Sequence, residues 1–287
     1  MLASLPPPPD LAGWIAQTRH HSAASGTFRP RRIMVIGPGT TAAFSIAASY
    51  PEAEILATDE DPAIVSLAGE AARDLALGNL SVVTADLAAP QGLTGLFDWI
   101  HCPDPLTPAG DETAAWHAVA DHLAPEGFLT CRIRSLRREY WGDEFREALR
   151  ISMGAGPATD LEGWMALGTQ LSRNLGRGGS RLAPTARSVE AQLLQDSPLT
   201  AALSLLPAGR SHSLASIRPL LAEAGLVLLG FLNQSEWETP EMLADPELAR
   251  LGTELMPDER SELTDILRAP EYSLVCGHGP ARDRSAL

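Results

Sequence analysis

Arg31-Arg32-Ile33-Met34-Val35-Ile36-Gly37-Pro38-Gly39-Thr40-Thr41-Ala42 passes from an apolar run into two glycines and on into an alanine-rich stretch that reaches Ser49. A short apolar run stopped by glycine suits a strand buried on both faces, and the alanines beyond it favour helix. The same unit then repeats. Glu54-Ile55-Leu56-Ala57-Thr58 reads as a second strand ending at Asp59, and Asp61-Pro62 supplies a helix start, an N-cap acceptor followed by proline at the first helical position. This helix runs to about Leu77 and breaks at Gly78-Asn79, after which Leu80-Ser81-Val82-Val83-Thr84 forms a third strand closing at Ala85-Asp86. Phe97-Asp98-Trp99-Ile100-His101-Cys102 is the fourth strand, a helix lies around Thr113 to Leu123, and Pro125-Glu126-Gly127 turns into the fifth strand, Phe128 to Ile133. Buried-looking strands alternating with helices predict an α/β fold, a doubly wound and mostly parallel sheet.

The pattern changes on either side of this core. Residues 1–30 read as an N-terminal extension with a proline-rich lead-in at Leu5 to Pro9, and residues 31–134 as the core itself. Residues 135–215 are helical segments broken by glycine and serine, a helical insertion or lid. Residues 216–287 complete the sheet: a strand at Leu226 to Leu232, helices with acidic starts at Pro240-Glu241 and Pro257-Asp258, and a last strand at Tyr272 to Cys276.

Composition removes several functions. All 22 basic residues are arginine, so a Walker-type phosphate loop, Schiff-base catalysis and a Tyr-Lys dehydrogenase pair are excluded. A net charge of -14 repels polyanions, which argues against nucleic acid as a partner. No apolar run approaches the ~20 residues a bilayer span needs, so no membrane association is expected. The cysteines, Cys102, Cys131 and Cys276, are three and widely spaced, in a chain without a signal-peptide pattern, which points to a reduced, cytoplasmic protein.

In an open α/β sheet the ligand lies at the carboxyl ends of the strands, where strand order reverses. Gly37 and Gly39 end the first strand and let backbone approach a ligand, and the helix behind them attracts an anionic group. Asp59 ends the second strand, where a carboxylate accepts from both hydroxyls of a ribose, and Asp86 follows the third, where it accepts from an adenine amino group. Turns carry glycine and aspartate for conformational reasons alone. Three adjacent strand ends addressing three parts of one nucleoside are harder to explain that way.

On these residues the chain resembles the class I S-adenosylmethionine (SAM)-dependent methyltransferases, and more closely a bacterial branch with a helical insertion after the fifth strand, whose first motif lacks the usual acidic residue; Val35 stands there. The resemblance covers Arg31 to Arg134 and, more weakly, Ser213 to Phe231. It implies a Rossmann-like, seven-stranded sheet with an antiparallel last strand. It also implies SAM as cofactor, S-adenosylhomocysteine as product, and methyl transfer to a nitrogen, oxygen or sulfur of a small molecule or peptide. By position, Gly37 and Gly39 line the methionine part, Asp59 the ribose, and Asp86 with Leu87 the adenine; Thr40, Glu60 and Cys102 complete the cofactor-binding set. Two departures stand out: Pro38 removes a backbone N–H from the glycine loop, and Thr41 replaces a third glycine.

Two other readings stay open. Gly37, Gly39 and Ala42 also fit G-x-G-x-x-A with Asp59 some twenty residues on, the fingerprint of NAD in an oxidoreductase, against which stand Asp86 and the terminal strand pair. The altered loop also suits a SAM-binding partner or regulator without catalysis. For catalysis His101 and Asp104 border the transferred methyl, where a general base takes a proton, although a strand-end histidine holding a loop is an equal reading. His101, Cys102 and Asp104 lie too close together in sequence to surround a metal, and none is expected. Arg138, Tyr140 and Trp141 are the candidate acceptor contacts within the cluster Arg132, Arg134, Arg137, Arg138, Arg146 and Arg150; the duller alternative is a solvated helix face paired with Glu139, Asp143, Glu144 and Glu147. The sequence is compatible with a homo-oligomer and fixes no oligomeric state.

Overall fold

Ile33, Met34, Val35 and Ile36 are at most 3% exposed, which places β1 (Arg32–Ile36) inside the sheet with both faces covered. The computed structural model describes residues 7–18, 28–37, 40–85, 93–102, 111–153, 161–196, 201, 205, 210–237 and 246–279. Around β1 stand β2 (Glu54–Asp59), β3 (Leu80–Thr84), β4 (Phe97–Cys102), β5 (Leu123–Ile133), β6 (Leu226–Phe231) and β7 (Tyr272–His278). They form a seven-stranded sheet in the order β3-β2-β1-β4-β5-β7-β6. β7 runs antiparallel to both β5 and β6, and the pairs from β3 to β5 are parallel. Strand order reverses at β1, which pairs β2 on one side and β4 on the other, so a ligand crevice opens at the carboxyl ends of these strands.

Alternation along each strand divides the core into two layers. Met34, Ile36, Ile100 and Leu129 face Trp116 and Val119 of α4 (Glu112–His122) and Ile217 and Leu221 of α8 (Leu214–Glu223). Ile33, Val35, Trp99 and Val275 face the other side, against Ala43, Ile46 and Ala47 of α2 (Thr40–Ser49) and Leu11, Trp14 and Ile15 of α1 (Leu11–Thr18). Large side chains buried to this degree are each worth about 1.5–3 kcal/mol.

Helix α1 lies within the N-terminal extension, just after the proline-rich lead-in. Its signals are local: Asp10 Oδ1 accepts from the Gly13 amide at 2.8 Å, and Leu11, Trp14 and Ile15 fall at i, i+3 and i+4. Trp14 packs edge-on to Phe128 and crosses β6 at Gly230, where an added Cβ would come within 2.9 Å of the indole. Helix α3 (Pro62–Asp74) starts as expected, with Asp61 as N-cap accepting from Ala63, but stops short of Leu77 because Ala76 turns to a φ of 55°. Asn79 then donates to the carbonyls of Ala47, Tyr50 and Ala53, tying the start of β3 to the end of α2. Pairing of β4 with β5 begins at Leu123, earlier than expected, with a register break that accommodates Ala124 to Gly127.

The chain forms two compact units, Met1–Ser135 with His212–Leu287, and Leu136–Ser211. The second unit holds α5 (Leu136–Met153), α6 (Leu161–Arg177) and α7 (Ala183–Gln195) around Phe145, Leu149, Trp164, Ala186 and Leu205. In the first unit α9 (Pro246–Glu254) and α10 (Pro257–Arg268) separate β6 from β7; the expected start at Pro240-Glu241 lies outside the described residues. Among the described residues no helix is long and apolar enough to cross a membrane.

Candidate functional site

Hydrogen bonds align the carboxyl ends of the first three strands. The Gly37 amide donates to Thr58 at 2.9 Å, and the Ala85 amide donates to Asp59 at 3.0 Å. Gly37 holds a φ of 94°, which L side chains rarely adopt, and a Cβ built there would meet no atom of the described residues within 4 Å. Glycine therefore turns the backbone at the end of β1 into a conformation that suits a close approach to a ligand.

Asp59 is 8% exposed. Its Oδ1 accepts from the Asp61 amide at 2.9 Å, a turn bond that shapes the entry to α3. Its Oδ2 is buried and, among the described residues, has no hydrogen-bond partner. A buried carboxylate oxygen without a donor carries a desolvation cost of about 1–3 kcal/mol or more, so an O–H group supplied by a ligand fits it. The structural demand of the turn explains one oxygen and leaves the other for recognition. Glu60 beside it is exposed.

The remaining expected cofactor contacts divide. Pro38, Gly39, Asp86 and Leu87 lie outside the described residues, as does Asp104, and Thr40 is described as the first residue of α2 only. Cys102 ends β4, but its side chain turns into the core, 2% exposed, among Met34, Ile36 and Cys131. Any contact it makes to a ligand therefore comes from its backbone. Register places Cys102 opposite Cys131, and Cys276 stands on the neighbouring β7, so three residues far apart in sequence gather on one face. The Cys276 side chain, then burial, push the Cys131 thiol up, which keeps it protonated and unreactive. Among the described residues no cluster of His, Cys, Asp and Glu is arranged to hold a metal.

His101 stands beside Val35 on the face of β4 that carries Trp99. It is 6% exposed, and its Nδ1 lies 2.9 Å from Thr130 Oγ1, an oxygen that accepts from Trp99 Nε1 at 2.7 Å. Burial pushes the imidazole down to about 4, with a hydrogen bond to the Thr130 backbone acting weakly the other way. Such a histidine is neutral at pH 7 and a poor proton acceptor, which weighs against the general-base role expected of it.

The sequence gives no hint of Glu112 and His212. Glu112 opens α4 and His212 precedes the N-cap of α8, and their side chains, 10% and 6% exposed, meet at 2.8 Å between Oε1 and Nε2. His212 also donates its amide to Arg134 at 2.8 Å, which fixes the pair beyond the carboxyl end of β5.

In the helical unit the duller reading of the arginines accounts for two of them. Arg146 bonds Asp143 at 2.7 Å and Glu139 at 3.2 Å, and Arg150 takes both oxygens of Glu147. Arg132, in the sheet unit, pairs with Glu271 across to β7. Tyr140 and Trp141 pack edge to face at 5.0 Å, are 42% and 43% exposed, and the Arg181 guanidinium lies over the Trp141 ring.

No family model matches the chain. A segment of 85 residues is 38% identical to the release factor glutamine methyltransferase of Deinococcus radiodurans, spanning 29% of this chain and 30% of that protein. Among solved structures the chain is similar to PKMT2 from Rickettsia typhi, with a TM-score of 0.67 and 16% identity over 88% of this chain. The same protein in complex with S-adenosylhomocysteine gives a TM-score of 0.68 at 15% identity. The chain spans about half the length of those structures, 49% of each. The fold is that of the class I SAM-dependent methyltransferases: seven strands, Rossmann-like, mostly parallel, with an antiparallel last strand.

Proposed function

We propose that the chain is an enzyme that binds SAM across the carboxyl ends of β1, β2 and β3 and uses it to methylate a nitrogen, oxygen or sulfur of a small molecule or peptide. The observation that carries this reading is the buried Oδ2 of Asp59, unpartnered among the described residues, beside the Gly37 turn, a pairing that suits a ribose next to a close backbone approach. The strand order supports it over NAD binding, because the dinucleotide fold runs 3-2-1-4-5-6 with parallel strands and this sheet inserts an antiparallel β7 between β5 and β6. The partial likeness to a methyltransferase and the fold shared with a protein solved with S-adenosylhomocysteine point the same way.

SAM supplies a methyl group already activated on a sulfonium, so the residues of this chain have mainly to bind and orient. Gly37, Gly39 and Thr40 would hold the methionine part, Asp59 and Glu60 the ribose, Asp86 and Leu87 the adenine, and the backbone at Cys102 the adjoining edge. Asp104 remains the candidate to take the acceptor's proton, and Arg138, Tyr140 and Trp141 the candidate acceptor contacts. Transfer is tested by incubating the protein with methyl-labelled SAM and fractionated bacterial small molecules and peptides. Label appearing in one fraction, at a rate proportional to enzyme, supports an enzyme; binding without transfer to any fraction favours a non-catalytic SAM-binding partner.

A further inference from the structure

We propose that His101 donates a hydrogen bond from Nε2 to an oxygen of the bound ligand, because Trp99 and Thr130 together dictate which ring nitrogen carries the proton. The inference rests on reading the ends of β1 and β4 as the ligand site. Its geometry is a relay of three buried side chains on adjacent strands, Trp99 Nε1 to Thr130 Oγ1 at 2.7 Å and Thr130 Oγ1 to His101 Nδ1 at 2.9 Å.

The direction of the relay follows from what each group can do. An indole N–H only donates, so Thr130 Oγ1 must accept from Trp99. Thr130 is 0% exposed, and its hydroxyl proton needs an acceptor of its own. Among the described residues the acceptor within reach is His101 Nδ1. Nδ1 therefore carries a lone pair, and the ring proton sits on Nε2.

The environment keeps it there. Burial disfavours the imidazolium, so the ring stays neutral through the physiological range. A second proton on Nδ1 would set it against the Thr130 hydroxyl proton and break the relay. Apart from a weak interaction of the ring with the Thr130 backbone, no described residue accepts from Nε2, and His101 retains 6% of its surface. It stands beside Val35, two residues before Gly37, on the face that carries α2, and so reaches the same strand ends as the glycine turn. A fixed N–H there suits a carboxylate or hydroxyl oxygen, and Thr130 is the positioning residue that fixes it.

Nitrogen-15 NMR of histidine-labelled protein tests this without any acceptor substrate. The His101 signals, assigned by their loss in His101→Gln, should show the neutral Nε2–H tautomer from pH 5.5 to 8, and the Nε2 resonance should move on saturation with S-adenosylhomocysteine. His101→Gln should weaken that ligand by about tenfold, the loss of one hydrogen bond to a charged or buried oxygen. Thr130→Val should remove the tautomer preference and Thr130→Ser restore it; the wild-type spectrum decides the point even where the valine variant does not fold. An Nδ1–H or doubly protonated ring at pH 7 overturns the proposal, as does an Nε2 resonance that ignores bound ligand. If the wild-type protein shows the tautomer yet binds no S-adenosylhomocysteine, the methyltransferase reading has failed and the relay has not.

Discussion

The backbone N–H of Asp61 donates to Oδ1 of Asp59 at 2.9 Å, and the other oxygen of the same carboxylate is buried with no partner among the described residues. One side chain thus serves the turn and the ligand through different atoms, and substitutions can separate the two. Asp59→Asn keeps an oxygen for Asp61 while replacing the second acceptor with a donor, so it should leave the urea midpoint nearly unchanged and weaken S-adenosylhomocysteine by ~1 to 3 kcal/mol. Asp59→Ala should weaken binding similarly and also cost about 1 kcal/mol of stability through the lost turn bond. Unaltered affinity in both variants would mean that Asp59 is a turn residue alone.

Gly37 turns at a φ of 94°, and no described residue stands within 4 Å of where a side chain would sit. Gly37→Ala should therefore cost about 1–2 kcal/mol in folding from backbone strain, without a clash. The loss of ligand affinity should exceed what that strain explains, because the added methyl stands where the ligand approaches. Parallel urea titrations and binding isotherms give both quantities.

Trp14 and Gly230 test whether α1 belongs to the core. Gly230→Ala places a methyl 2.9 Å from the indole and should destabilise the protein by about 1–3 kcal/mol. In a Trp14→Leu background the same substitution should cost far less, the non-additivity expected of residues in contact. Equal costs in both backgrounds would detach α1 from the sheet.

These examples show how far the sequence could be read. The strands and the Asp61 cap were legible because their signals are local: apolar runs bounded by glycine, an acceptor before a proline. Asp59 was legible as a strand end, but which of its oxygens is spare depends on the fold. The Trp99–Thr130–His101 relay, the Cys102–Cys131–Cys276 cluster and the Glu112–His212 pair join residues from about 30 to 170 positions apart, and register between non-consecutive strands leaves no periodic trace. The helix at Leu11–Thr18 had its cap and its apolar spacing in plain sight, and a proline-rich lead-in masked them.

His101 predicts a pH dependence of stability. Its folded pKa is pushed by burial to about 4, below the ordinary value of 6.5, so the unfolded chain binds more protons between those limits. Stability is then unaffected by this group above about pH 6.5, falls as the pH drops toward 4, and levels off below it, losing on the order of 2 kcal/mol by pH 5. The difference between wild-type and His101→Gln urea midpoints, measured at pH 7.5 and 5, isolates this contribution from the carboxylates. A difference that does not change with pH would show that His101 is not held neutral.

Whether the ends of β1, β2 and β3 hold the nucleoside of SAM is decided by calorimetric titration of the purified protein with S-adenosylhomocysteine and, separately, NAD. A single saturable site for S-adenosylhomocysteine, weakened in Asp59→Asn, and no heat of binding for NAD are expected. Saturable binding of NAD with none for S-adenosylhomocysteine would overturn the assignment of these strand ends to SAM.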